Sequence, residues 1–162
     1  MNAQTIFEEL RKDFIRVGIP IPDERIAKNL HFMNSVSALG RCKKENGIFM
    51  IFLSRYAMED EKQVRTTLAH ELVHTINGCM NHGKTFHRYG SMVERKLGIQ
   101  VETKASKEES ELSGIAEARI QKAKYVILCE GCGEKIYRQK KSNVVIHPER
   151  YRCKCGGTLK LI

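Results

Sequence analysis

Long hydrophobic runs are missing from this 162-residue chain, and none approaches the length of a membrane-spanning helix. No membrane partner is therefore expected. The opening residues, Met1-Asn2-Ala3-Gln4, lack the basic-then-apolar pattern of a secretion signal. Proline is scarce, three in all, and two of these fall together in Gly18-Ile19-Pro20-Ile21-Pro22, where they break helix and favour extended chain. Acidic residues are outnumbered, 19 against 28 Lys and Arg, which leaves a formal net charge of +9. Six cysteines are present without a secretion signal, and four of them form tight pairs, Cys129/Cys132 and Cys153/Cys155. Such pairing reads as metal ligation rather than as disulfides, and a reducing cytoplasm is the expected compartment. Cys42 and Cys79 stand alone and read as small buried apolar residues.

What is there is a chain of 41% hydrophobic and 29% charged residues, ordinary values for a soluble protein. Its length suits one compact domain plus a small module. The most informative stretch is His70-Glu71-Leu72-Val73-His74. Residues four apart on a helix share a face, so His70 and His74 can offer two imidazole nitrogens to one zinc ion. Glu71 then lies close enough to handle the proton of a water. From Glu61 to Ile76 no Gly or Pro interrupts, and Val64, Leu68, Leu72 and Val73 form an apolar stripe. Asn77-Gly78 is a helix stop that lets the chain turn back and bring His82 to the metal.

Around this helix the periodicity predicts an amphipathic helix over Ala3–Val17, with Ile6, Leu10, Phe14 and Ile15 at helical spacing. Strands are expected near Leu30–Met33, Val36–Cys42 and Ile48–Ser54, with Asn46-Gly47 as a hairpin turn. A further helix is expected over Lys84–Leu97. These elements make an α+β domain over residues 1–101, with helices packed on a small antiparallel sheet. The segment 102–124, rich in Lys, Glu, Ser and Ala, reads as a charged linker or exposed helix.

Residues 125–162 read as a small β zinc ribbon. Tyr125–Leu128 leads into Cys129, Val144-Val145-Ile146 and Tyr151-Arg152 precede Cys153, and Leu159–Ile162 is a last strand. Four thiolates, Cys129, Cys132, Cys153 and Cys155, would hold together a module too small to fold on apolar packing alone. The second pair is C-x-C rather than C-x-x-C, so His147 is a reserve ligand. Two zinc ions per chain are expected, one catalytic and one structural. Between Lys122 and Ile162 there are ten Lys or Arg and three Glu, a formal +7 that four thiolates on zinc would reduce. Lys135, Arg138, Lys140, Lys141, Arg150 and Arg152 are the candidate contacts to phosphate backbone, and Tyr137 and Tyr151 can stack on bases or pack.

His-Glu-Leu-x-His, then Asn81-His82-Gly83-Lys84-Thr85-Phe86, then a cysteine ribbon, together resemble the SprT-like, or Spartan-type, zinc metalloproteases. Leu39-Gly40-Arg41-Cys42 and Ile51-Phe52-Leu53-Ser54 resemble the hairpin that precedes the metal helix in that family. The resemblance implies a minimal zincin-like fold, with His70, His74 and His82 as zinc ligands and Glu71 as catalytic acid/base. It further implies a protein substrate and an association with DNA, since the best-understood members degrade proteins crosslinked to DNA.

Rival ligand schemes can be weighed against the residues. A metzincin would carry a third His where Met80 stands, so that scheme fails. A thermolysin-like scheme would use Glu94, twenty residues after His74, in place of His82. Tyr89 and His87 are the nearby candidates for stabilising an oxyanion. Three functions follow: a DNA-associated zinc endopeptidase, a peptidase of a free regulatory protein, and a nucleic-acid-binding zinc protein without proteolysis. The intact Glu71 speaks against the last. A monomer is assumed.

Overall fold

The computed structural model describes residues 2–58, 60–101 and 113–162. It divides into two compact units, Met1–Leu112 and Ser113–Ile162. The first part of the expected charged linker, residues 102–112, lies outside the described residues; the rest carries a helix, Ser113–Gln121. Among the described residues, no helix is long and apolar enough to cross a membrane.

The first helix, α1 (Ala3–Arg16), begins at Asn2, whose side-chain oxygen accepts from the backbone N–H groups of Gln4 (3.0 Å) and Thr5 (3.5 Å). These are donors that a helix start leaves unpaired. Ile6, Phe7, Leu10 and Phe14 bury one face of α1, each contributing about 1.5–3 kcal/mol of burial, while Ile15 points to solvent. The following segment is tied to α1 by polar contacts. The Leu30 N–H donates to Gln4 Oε1 at 2.8 Å, and Arg11 Nε donates to Asp23 Oδ1 at 2.7 Å.

Three strands follow: β1 (His31–Met33), β2 (Gly40–Glu45) and β3 (Ile48–Ser54), in the order β1-β3-β2. The β2–β3 hairpin turns on Asn46 (φ 49°) and Gly47 (φ 82°), the pair of left-handed residues that a two-residue hairpin loop demands. β2 starts later than the sequence suggests, because Val36 to Leu39 forms its approach rather than its body. β1 adds to the far side of β3 in parallel, so the sheet is mixed. Phe49, Ile51 and Leu53 of β3 point into the core.

Against this sheet lies α2 (Glu61–Val73), capped by Asp60, whose carboxylate accepts from Lys62 N–H at 3.0 Å. Val64, Leu68, Leu72 and Val73 are fully buried, as their spacing predicts. A second stripe, Gln63, Thr67 and Glu71, is polar and buried as well. Gln63 Nε2 donates to Thr67 Oγ1 at 3.3 Å within it. The helix ends at Val73 rather than Ile76, and His74 is its C-cap. Thr75 and Ile76 continue in tighter turns that close on Leu72 and Val73. A third helix, α3 (Lys84–Leu97), follows.

In the second unit, α4 (Ser113–Gln121) precedes a three-stranded sheet of order β5-β4-β6, formed by β4 (Tyr125–Cys129), β5 (Lys135–Arg138) and β6 (Leu159–Leu161). Both pairings are antiparallel. Among the described residues its buried apolar cluster is Ile127, Cys129, Val145 and Leu159. Val144-Val145-Ile146, a strand by composition, forms instead the one-turn helix α5 (Asn143–Ile146). Both edges of β4 are already taken, and the turn, closed by Val145 N–H on Ser142 O at 2.8 Å, drops Val145 into the small core.

Candidate metal centres

The first centre is built at the end of α2. His70 lies in its last turn, His74 caps it, and the turn through Gly78 (φ 79°) returns the chain to His82, just before α3. The three Nε2 atoms form a triangle with every side 3.1 Å. Zinc–nitrogen bonds of about 2.0–2.1 Å in a tetrahedron place nitrogens about 3.3 Å apart, so the triangle matches one face of such a site. His74 Nδ1 lies 2.6 Å from the Cys79 carbonyl. That acceptor places the proton on Nδ1 and leaves the Nε2 lone pair facing the other two imidazoles. Burial lowers the pKa of His74, which also favours the neutral ring a metal requires. Cys79 itself is fully buried, and burial raises its thiol pKa, in keeping with a small apolar role.

Beneath the triangle sits Phe86, fully buried at the start of α3. Its ring centroid lies 4.9 Å from that of His70, 4.7 Å from His74 and 4.8 Å from His82. Asn81 Oδ1 accepts from Gly83 N–H at 3.2 Å and shapes the turn from His82 into the helix. The Asn-His-Gly-x-x-Phe signature therefore supplies a candidate ligand, a turn and the floor of the site.

Glu71, next to His70 in the chain, is 7% exposed and turns towards β2. Burial pushes its carboxyl pKa up to about 8, against the opposing pull of the Cys42 backbone N–H, which donates to it, and the charge of Arg41. Cys42 is half-buried, and burial beside Glu71 pushes its thiol up to about 12, so it is an inert neighbour. Gly40 lies in contact with Glu71 and Thr67.

Other candidates lie elsewhere. Glu94 lines a shallow groove with Glu61, Lys62 and Arg65, at the opposite end of α2 from the imidazoles. Among the described residues the metal-competent group contains His82 and not Glu94, which sets aside the thermolysin-like scheme. His87 is exposed one position past Phe86, and the Tyr89 hydroxyl accepts from Arg88 Nη2 at 3.3 Å.

The second centre lies within the ribbon. The sulfurs of Cys129, Cys132, Cys153 and Cys155 all lie within 4.8 Å of one another. Cys129 and Cys155 are 3.5 Å apart, and Cys132 and Cys153 are 3.7 Å apart. A tetrahedral zinc with bonds of about 2.3 Å sets sulfurs about 3.8 Å apart, so four cysteines suffice. The C-x-C pair reaches without help, and the reserve ligand His147 instead lies 3.4 Å from Glu149. The two knuckles approach backbone to backbone: a Cβ on Gly157 would stand 2.7 Å from Cys129 Sγ. The backbone N–H of Cys132 stabilises the Cys129 thiolate, as a metal ligand needs.

Lys135, Arg138, Lys140, Lys141, Arg150 and Arg152 are all exposed on this unit. Arg138 donates to the Tyr137 carbonyl, and Arg152 to the carbonyls of Glu149 and Tyr151. Tyr151 is 41% exposed.

Sequence spacing named both groups of side chains that the fold brings together, His70/His74/His82 and the four ribbon cysteines. It missed the buried polar stripe of α2 and the role of Gly40, although a glycine within an otherwise strand-forming run is a signal of close approach.

Both centres are compatible with zinc. No curated protein matches the chain significantly. A family model described as the SprT-like family matches residues 4–105, which takes in α1 to α3 and the whole histidine centre. Members of that family are metallopeptidase-like, and this chain belongs to the SprT-like family.

Proposed function

We propose that the protein is a zinc-dependent endopeptidase that acts on proteins bound or crosslinked to DNA. The observation that carries the proteolytic part is a three-imidazole triangle whose first member, His70, is followed in the chain by a buried carboxylate, Glu71. His70, His74 and His82 would hold the metal. Zinc, when bound, supplies Lewis acidity that polarises a peptide carbonyl and acidifies water towards a pKa of roughly 7. Glu71 accepts the proton of the attacking water on its carboxylate and delivers it to the departing amine nitrogen. A carboxyl raised to about 8 by burial would be brought down by a cation held at the imidazoles, towards a value that suits both tasks. Phe86 seals the site from below, and the Cys79 carbonyl keeps His74 oriented.

The DNA part is supported by the ribbon. Its six exposed cations can collect phosphates, and Tyr151, between Arg150 and Arg152, offers a ring for stacking on an unpaired base. The ribbon brings the enzyme to DNA, and the histidine centre cuts what is attached there. The test is Glu71→Gln, assayed on a protein crosslinked to single-stranded DNA. Zinc content should match the parent while cleavage falls by about 10²–10⁴-fold. A Gln variant that still cleaves at the parental rate rules out Glu71 as the acid/base.

A further inference from the structure

We propose that Gly40 is a positioning residue for Glu71, and that it acts by presenting no side chain. The inference rests on the reading of Glu71 as the acid/base and adds the means by which its carboxylate is aimed.

Gly40 opens β2 and pairs with Leu53 of β3. Its backbone is that of a strand, which any residue can adopt, so conformation does not call for glycine here. Space does. A Cβ at this position would stand 2.6 Å from Glu71 Oε1, 2.7 Å from Glu71 Cγ and 2.7 Å from Thr67 Cγ2.

The three contacts differ in weight. A carboxylate oxygen at the end of a side chain can move aside at small cost. Cγ cannot, because it lies two bonds from the α2 backbone, and moving it swings the whole carboxylate. Thr67, one helical turn earlier on the same face and also buried, closes the other way out. Relief therefore requires a new Glu71 rotamer, with loss of the hydrogen bond donated by the Cys42 N–H two residues along β2. The bare backbone of β2 is thus a wall with one donor in it. It fixes one end of the acid/base while α2 fixes the other. A displacement near 1 Å at a reacting group costs about 100-fold in rate.

The experiment uses the zinc-loaded full chain in four forms: parent, Gly40→Ala, Gly40→Ala/Thr67→Ser and Glu71→Gln. Serine at 67 removes the obstructing methyl but keeps the hydroxyl that accepts from Gln63. The readouts are zinc content, kcat and KM on unfolded casein, and the NMR shift of the Cys42 amide proton. Gly40→Ala should keep its zinc, lose about 100-fold in kcat with KM within about twofold, and move the Cys42 amide upfield, as loss of its acceptor requires. The double variant should return both kcat and the amide towards the parent. Parental kcat in Gly40→Ala overturns the proposal. So does a Cys42 amide that ignores Gly40→Ala, or a Gly40→Ala chain that unfolds and is not rescued by Thr67→Ser. A parent that fails to cleave casein counts against the proteolytic reading alone, because the amide shift still decides where Glu71 is held.

Discussion

The ring of Phe86 rests against the imidazole of His74, with centroids 4.7 Å apart and planes inclined by 40°. The same ring touches His70 and His82, so one buried aromatic supports every nitrogen donor of the first centre. Phe86→Ala would leave a cavity directly under the metal. It should cost about 3–5 kcal/mol of stability, read from urea melts of the zinc-loaded chain. Phe86→Leu should keep the fold and lose on the order of tenfold in zinc affinity, measured against a competing chelator.

Metal analysis of the purified chain should find two zinc ions, and substitutions should remove them one at a time. His82→Ala should lose the ion of the histidine centre and keep that of the ribbon. Cys132→Ser with Cys155→Ser should do the reverse. A single zinc, lost in one variant and kept in the other, would show that only one of the two clusters is a metal site.

The pH dependence of the metal-free protein has a definite sign. The carboxyl of Glu71 is raised to about 8 from an ordinary value of 4.5, so between those limits the folded chain holds a proton that the unfolded chain has released. Its contribution is full below about 4.5 and lost as pH rises through about 8. His74 is shifted down and acts oppositely, its contribution being lost as pH falls below its ordinary 6.5. Comparison with Glu71→Gln isolates the first effect. Metal-free parent should lose stability relative to the variant between pH 5 and pH 8.5, as read from paired urea melts.

Neutralising Lys140, Lys141, Arg150 and Arg152 together should weaken binding to single-stranded DNA without loss of the ribbon zinc. If all four contact phosphates, the slope of log affinity against log salt should shrink by roughly 3. An unchanged slope would direct attention away from the ribbon as the DNA-contacting part.

The histidine centre was legible because its geometry is helical and local. An i, i+4 pair, a helix stop and a third imidazole a few residues on need no knowledge of the rest of the fold. The β2–β3 hairpin was legible for the same reason, since Asn46-Gly47 suits so few other conformations. What escaped depends on distant partners. β1 joins β3 in parallel through a long connection that leaves no local signature. The polar stripe Gln63-Thr67-Glu71 looks like a solvent face until the sheet covers it. Val144 to Ile146 has strand-forming side chains, but tertiary packing of Val145 overrides that preference.

The imidazoles of the first centre all lie between His70 and His82, whereas the backbone against which Glu71 packs comes from Gly40 and Cys42, far upstream. Metal capture is therefore a short-range event along the chain, and the aiming of the carboxylate is a long-range one. Contacts between near neighbours close early in folding, and strand-to-helix docking closes late. If His70, His74 and His82 hold a metal as proposed, a newly made chain would take it up before β2 has reached α2, while Glu71 still has nothing to hold it. On the proposed function, loading and arming would thus be separate steps, and a half-folded molecule would carry its metal before it could cut.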